Sequence, residues 1–167
     1  MELKERPSPY MGEVRVKVRL TNGGDEILAR EGKLDRANVR SVEADAMVDS
    51  GAVRCVIPPA LATQLGVLLQ AGRTVAYADG RSEVVPFAGP ILFDIQGRDT
   101  YDDAYVLGDE VLIGQTVLEK MDWLVDCTRQ RLVPAHPDGP VNKLKRTHPT
   151  ESTNALHQGD HGSTWTR

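Results

Sequence analysis

The chain has 167 residues, which is enough for one domain with a substantial core and too few for two. Hydrophobic residues make up 40% of the chain and charged residues 26%, so the composition excludes a mainly disordered or collagen-like protein. The formal net charge of -4 provides no basic surface for a phosphate backbone, and we expect no nucleic-acid partner.

The sequence contains no apolar run of the roughly 18 residues that a membrane-spanning helix needs. Its charged first six residues also lack the apolar segment of a secretory signal, so we expect a cytoplasmic protein with no membrane association. Cys55 and Cys127 form no C-x-x-C pair, which argues against a disulfide framework or a zinc knuckle. Both cysteines are expected to be buried free thiols.

The histidines all lie beyond residue 135, where apolar periodicity ends: His136, His148, His157 and His161. Enzymes that rely on a Ser-His or Cys-His arrangement need an imidazole in the packed core, so they are excluded here. His157 and His161 could face one metal ion, but two ligands in a loose segment make a poor site. We expect no metal and no other cofactor.

The distribution of apolar and turn-forming residues divides the chain into three parts. Residues 1–11 contain two prolines and read as a flexible leader, residues 12–135 as one folded domain, and residues 136–167 as a disordered tail. Within the domain, strict alternation of apolar and charged residues predicts a strand over Glu13–Leu20. Asn22-Gly23-Gly24 is typical of a turn, and a second alternating strand runs from Val42 to Val48.

A short helix is predicted next, because proline opens the segment Pro58–Gly66, apolar residues recur four apart, and glycine closes it. Asp79-Gly80 then predicts a tight hairpin between strands at 74–77 and 82–87. The remaining predicted elements are strands at 91–95, 101–107 and 111–113, a helix at 115–121, and a final hairpin with strands at 123–126 and 131–134. Short strands with few helices predict an all-β barrel or sandwich.

The chemistry concentrates at Asp49-Ser50-Gly51-Ala52, which follows the second strand. A carboxylate at a strand end, beside a hydroxyl and a glycine that permits a sharp turn, can present an acid in a crowded place.

In this setting the sequence resembles the retropepsin-like aspartic proteases, especially the small single-domain bacterial members. The resemblance covers roughly residues 12–135 and follows the family's order. The matching pieces are Asp49-Ser50-Gly51-Ala52, Val56-Ile57-Pro58 with the short helix, the hairpin tip at Tyr77-Ala78-Asp79-Gly80, Leu112-Ile113-Gly114, and the helix and closing strands that follow.

The resemblance implies a closed β-barrel with one or two short helices, equivalent to half of a pepsin-like two-lobed enzyme. Asp49 would be the catalytic residue, and because the chain has one such motif, a homodimer would supply the second Asp49. Ser50 would link the two loops, Gly51 would admit the substrate backbone, and Ala52 completes the loop. By the same resemblance residues 77–80 form a flap, and Gly114 permits close passage of the strand behind Asp49.

Two positions depart from the viral members of the family. Those members commonly pair an acidic residue after the catalytic loop with an arginine after the apolar-apolar-glycine signature; here the positions hold Val53 and Gln115. The viral way of bracing the dimer is therefore not expected. Arg54, close to the expected cleft, is a candidate for selecting acidic substrate side chains.

The sequence thus favours an aspartic endopeptidase that acts on peptides or proteins as a homodimer. A non-catalytic dimeric module of the same fold that holds peptides without cutting them is the first alternative. The second is a monomeric β-barrel interaction domain in which Asp49 only shapes a turn.

Overall fold

The computed structural model describes residues 12–143. Its strands are β1 (Val14–Asn22), β2 (Ser41–Val48), β3 (Cys55–Ile57), β4 (Leu69–Ala76), β5 (Ser82–Ile95), β6 (Arg98–Val106), β7 (Val111–Ile113), β8 (Trp123–Asp126) and β9 (Arg131–Pro134). Its helices are α1 (Gly23–Arg30), α2 (Pro59–Leu65) and α3 (Gln115–Lys120), with a 3-10 turn at Arg36–Asn38.

Six strands of the described part close into a barrel in the order β1-β2-β7-β3-β6-β5, because β1 also pairs with β5. Most neighbours run antiparallel, whereas β2 with β7 and β3 with β6 are parallel. β4 continues the sheet beyond the barrel by pairing with β5, and β8 with β9 forms a separate hairpin. The predicted all-β closed barrel is confirmed.

The core fills the barrel with the inward-facing residues of each strand. Val14, Val16, Val18 and Leu20 of β1 are buried while the residues between them are exposed, as the alternation predicts. Removing this apolar surface from water is the main force that stabilises the barrel.

Residues 22–24 do not form the predicted turn. Asn22 instead caps α1, and its Oδ1 accepts a hydrogen bond from the Asp25 backbone N–H at 3.1 Å. Gly23 is needed for packing, because a Cβ there would lie 2.7 Å from the Pro90 carbonyl oxygen. Gly23, one of the glycines that suggested a turn, therefore lets a helix approach β5 closely.

The flap strands are also longer than predicted. β4 begins at Leu69, and the strands expected at 82–87 and 91–95 form one strand, β5, whose register shifts between Ala88 and Ile91 where it pairs with β6. A local bulge lets a strand bend without ending it, which is why a glycine and a proline at 89 and 90 do not break β5.

Residues 1–11 and 144–167 lie outside the described residues. They include the predicted leader, most of the predicted tail, and His148, His157 and His161. His136 is held in place: its backbone N–H donates to Asp122 at 2.9 Å, and its carbonyl accepts from Arg98 at 2.6 Å. Residues 12–143 contain no helix long and apolar enough to cross a membrane.

The two cysteines have different environments. Cys55 is buried in the barrel, as expected, whereas Cys127 is exposed in the turn between β8 and β9. The expectation that both thiols are buried is wrong for Cys127, because the turn carries it away from the core.

Candidate active site

Asp49 begins a tight loop directly after β2. Its backbone N–H donates to the Ile113 carbonyl at 3.0 Å, which extends the parallel pairing of β2 with β7 by one residue. The Ala52 N–H then donates to the Asp49 carbonyl at 3.2 Å, so the chain reverses within four residues. The loop is therefore attached to β7 at its first residue.

The far side of the loop is attached to the start of α3. The backbone N–H of Gln115 donates to the Ala52 carbonyl at 2.8 Å, and that of Thr116 donates to the Val53 carbonyl at 3.1 Å. The Thr116 hydroxyl also donates to the Val53 carbonyl. The Leu112-Ile113-Gly114 segment and the Asp49 loop, separate in sequence, are thus one structural unit.

Gly114 is where these segments come closest. A Cβ at this position would lie 2.5 Å from the Arg54 carbonyl carbon and 2.9 Å from the Ala52 carbonyl oxygen. The backbone of Gly114 is ordinary extended chain, with φ -90, so the absent side chain is needed for space rather than for an unusual conformation.

The Asp49 carboxyl group is partly exposed, and the flanking Ser50 and Gly51 are exposed. Asp49 Oδ1 accepts a hydrogen bond from the Gly51 N–H at 2.9 Å, the turn-shaping contact that Asp side chains often make. Within residues 12–143, no hydrogen bond reaches Oδ2. One carboxyl oxygen therefore fixes the side chain and the other is open.

The predicted flap is the hairpin tip between β4 and β5. The Tyr77 N–H donates to the Arg81 carbonyl at 2.8 Å, and the Gly80 N–H donates to the Tyr77 carbonyl at 3.0 Å, with Gly80 at φ +86. Asp79 accepts hydrogen bonds from the backbone N–H and the guanidinium of Arg81. These bonds hold the pKa of the Asp79 carboxyl below its usual range. Ala78 is exposed.

The hairpin tip is further braced by the Tyr77 hydroxyl, which is hydrogen bonded to Glu83. That hydrogen bond raises the pKa of Tyr77 above its ordinary value. Among the described residues, the polar contacts of this tip stay within the hairpin, and no hydrogen bond joins it to the Asp49 loop. A hairpin tied only to itself can move as a unit.

Sequence reasoning missed a polar cluster beside the loop. Arg54 Nη1 lies 3.5 Å from Asp102 Oδ1, and Lys120 Nζ lies 3.1 Å from Asp102 Oδ2, so this buried carboxylate links β6 to α3 and to the start of β3. Pairing between β3 and β6 creates the cluster, and no spacing in the sequence signals it. Glu119 is on the exposed face of α3.

The described residues contain no group of three or more His, Cys, Asp or Glu side chains that could hold a metal ion. Among the described residues, the ionisable groups beside the loop include Asp49 itself, Arg54, Asp102 and Lys120.

Comparison with known proteins adds three findings. A family model described as aspartyl protease matches residues 36–117, a range that includes the Asp49 loop, the flap hairpin and β7. No curated protein matches the chain. Among solved structures, the EIAV protease in complex with the inhibitor HBY-793 is similar, with 15% identity and a TM-score of 0.46 over 71% of this chain and 90% of that one. Together with the barrel and the order of its motifs, the family match supports placing this chain among the retropepsin-like aspartic proteases.

Proposed function

We propose that the protein is an aspartic endopeptidase whose active site forms between two copies of the chain, each supplying Asp49. The chain has a single Asp-Ser/Thr-Gly motif, so one copy cannot provide two such aspartates. A two-fold axis places identical loops opposite each other and so completes the pair.

The mechanism depends on two carboxyl groups that share one proton. Because two negative charges at hydrogen-bond distance repel, one group is ionised while the other stays protonated. The ionised group takes a proton from water, whose oxygen attacks the peptide carbonyl carbon, and the protonated group donates a hydrogen bond to the developing oxyanion. The carbon–nitrogen bond then breaks as the leaving nitrogen receives a proton, with no covalent intermediate.

The observation that carries this proposal is the way in which the Asp49 carboxyl group is held. Oδ1 is fixed by the Gly51 N–H, and the loop is attached to β7 and α3 by backbone hydrogen bonds. Preorganised groups of this kind lower a barrier because they need not be ordered during the reaction. A carboxylate that only shaped a turn would need the bond to Gly51 but not the attachment to two further elements.

The decisive experiment replaces Asp49 by Asn, which preserves size and can still accept the Gly51 hydrogen bond. We expect the wild type to cleave a degenerate peptide pool at mildly acid pH and Asp49→Asn to have no measurable activity, while light scattering gives the dimer mass for both. Asp45→Asn is the matched control, since Asp45 lies on the same strand with an exposed side chain paired to Lys17.

Retained cleavage by Asp49→Asn contradicts the proposal. A wild-type dimer that binds peptides and leaves them intact favours the non-catalytic module, and a monomer favours the interaction domain. The cytoplasmic location stays a prediction from the sequence, which fractionation of the producing cells tests.

A further inference from the structure

Two arginines, one just after the Asp49 loop and one on a flap strand, approach the same aromatic ring. Arg54 follows the Asp49 loop directly, and Arg73 lies on the flap strand β4. Their guanidinium carbons are 5.5 Å and 4.3 Å from the centroid of the Phe87 ring. The two guanidinium groups therefore lie within about 10 Å of each other, each at cation–π distance from the ring.

The burial of Phe87 is explained by this arrangement. Phe87 is 1% exposed, yet it is not part of the main apolar core of the described residues. Tyr105 packs against it edge to face, with the ring centroids 5.5 Å apart, and the two arginine side chains lie against it as well. Stacking on a rigid, buried ring restricts the orientations of both guanidinium groups.

The positive charge of Arg54 and Arg73 is only partly balanced by nearby carboxylates. Among the described residues, Arg54 lies in ion-pair distance of Asp102, whose side chain is 8% exposed. Asp102 also accepts hydrogen bonds from Lys120 at 3.1 Å and from the Asp103 backbone N–H at 2.8 Å. Arg54 contacts it by a single 3.5 Å approach and keeps one third of its side chain exposed. Arg73 is exposed, and within residues 12–143 no carboxylate lies in ion-pair distance of it.

We propose that Arg54 and Arg73 form a binding site for an acidic side chain of the peptide substrate, so that the protease selects sequences with Asp or Glu near the scissile bond. This inference rests on the proposed function, since it places the site between the catalytic loop and the flap. A guanidinium group offers several N–H donors in a planar fork that matches a carboxylate. Two such groups, already oriented by Phe87, bind a carboxylate with little further loss of side-chain freedom.

The test compares two peptide pools of equal length, one with Asp and Glu and one with Asn and Gln at the positions flanking the scissile bond. Assays run above about pH 5, where the peptide carboxyl groups are ionised. We expect the wild type to have a kcat/KM about tenfold higher for the acidic pool, and the double variant with Arg54→Gln and Arg73→Gln to lose this preference.

Three further variants make the assignment specific. Arg73→Glu should favour a pool that contains Lys, while Arg73→Lys should keep a reduced preference for the acidic pool. Arg19→Gln changes an exposed arginine on β1 and should leave the preference intact. Equal kcat/KM for both pools in the wild type, or an unchanged preference in the double variant, overturns the inference while leaving the protease assignment in place.

Binding to the Asp49→Asn chain separates this inference from the proposed function. Fluorescence anisotropy with labelled acidic and neutral peptides measures recognition without cleavage. If the wild type cuts no peptide and yet the acidic peptide binds about tenfold more tightly through the two arginines, the protease assignment fails and the acidic site stands. Equal affinity for both peptides removes the site whether or not the wild type cleaves.

Discussion

Position 114 has room for glycine and for no larger residue. Its neighbours are backbone atoms of Arg54 and Ala52, which cannot rotate away as a flexible side chain could. We expect Gly114→Ala to lower the free energy of unfolding by about 2 kcal/mol, a usual cost of overpacking, and to reduce cleavage by displacing the Asp49 loop. Chemical denaturation measures the first effect and the peptide assay the second.

Gln115→Ala is the control for that experiment. Within residues 12–143 the Gln115 side chain donates to Glu119 alone, at 2.8 Å on the surface of α3, while its loop contact is made by its backbone. Its loss should change stability by no more than about 0.5 kcal/mol. Equal stability of Gly114→Ala and the wild type would contradict the close contacts at this position.

The two thiols should differ sharply in reactivity. Burial raises the pKa of the Cys55 thiol to about 12, so at pH 8 it is almost wholly protonated, and only the thiolate attacks a disulfide reagent. Cys127 is exposed. We expect one rapidly labelled thiol per folded chain and two after denaturation, with Cys127→Ser abolishing the rapid reaction. Two fast thiols in the folded wild type would show that Cys55 is accessible.

At the scale of the element, α1 is attached to the barrel by an ion pair between the buried Asp25 and the half-exposed Arg40. Both carboxyl oxygens of Asp25 accept from the Arg40 guanidinium, at 2.7 and 2.8 Å, and the Arg40 backbone N–H also donates to Asp25. The side-chain hydrogen bonds from Arg40 hold the pKa of Asp25 below its ordinary value. A lowered pKa in the folded state favours folding at pH values where the carboxyl group is ionised.

This ion pair predicts a pH-dependent stability. Its contribution is complete above the unfolded carboxyl pKa, near 3.9, and is lost as the pH falls from there through the lower folded pKa. Arg40→Gln should therefore lower the melting temperature at pH 6, and its difference from the wild type should shrink below about pH 4. Lys33→Gln, which removes an exposed ion pair with Glu31, should have little effect at either pH. A difference for Arg40→Gln that does not depend on pH would rule out this ion pair as its cause.

Strands and helices with a clear apolar periodicity or clear end signals could be predicted from the sequence. Elements that depend on contacts between distant residues could not. β1 alternates from Val14 to Leu20 and β2 carries apolar residues at every second position from Val42 to Val48. α2 has proline at its start and Gly66 in the left-handed conformation at its end. α1 escaped prediction because its polar residues Asp25 and Glu26 are buried by ion pairs rather than by an apolar stripe. A 3.6-residue apolar pattern cannot reveal a helix of that kind.

The same division applies to the candidate site. The Asp49 loop and Gly114 could be identified as local motifs. Arg73 and Phe87 lie on the two strands of the predicted flap hairpin, but Arg54 reaches the same ring because β3 pairs with β6, a strand distant from it in the sequence. No local pattern indicates that contact. Chain order alone could not show that the flap strand and the segment after the loop converge on one ring.

At the scale of the whole molecule, the proposed shared site makes activity depend on assembly. If each dimer needs two intact Asp49 residues, mixing wild type with an equal amount of Asp49→Asn and allowing exchange leaves about one quarter of the dimers with two wild-type chains. Total activity should then fall to about half of that of the wild type measured alone in the same amount. Activity that is unaffected by the variant would show that one chain suffices.

The loop that carries Asp49 is held through peptide groups: the Asp49 and Ala52 amides and the carbonyls of Ala52, Val53 and Ile113. Every amino acid except proline offers the same amide hydrogen and carbonyl oxygen, so most substitutions around the loop, Gly114 apart, leave this scaffold largely unaltered. Evolution could thus exchange the proposed recognition residues Arg54 and Arg73 without relocating the acid. Substrate recognition can therefore change while the position of the Asp49 carboxyl group is kept.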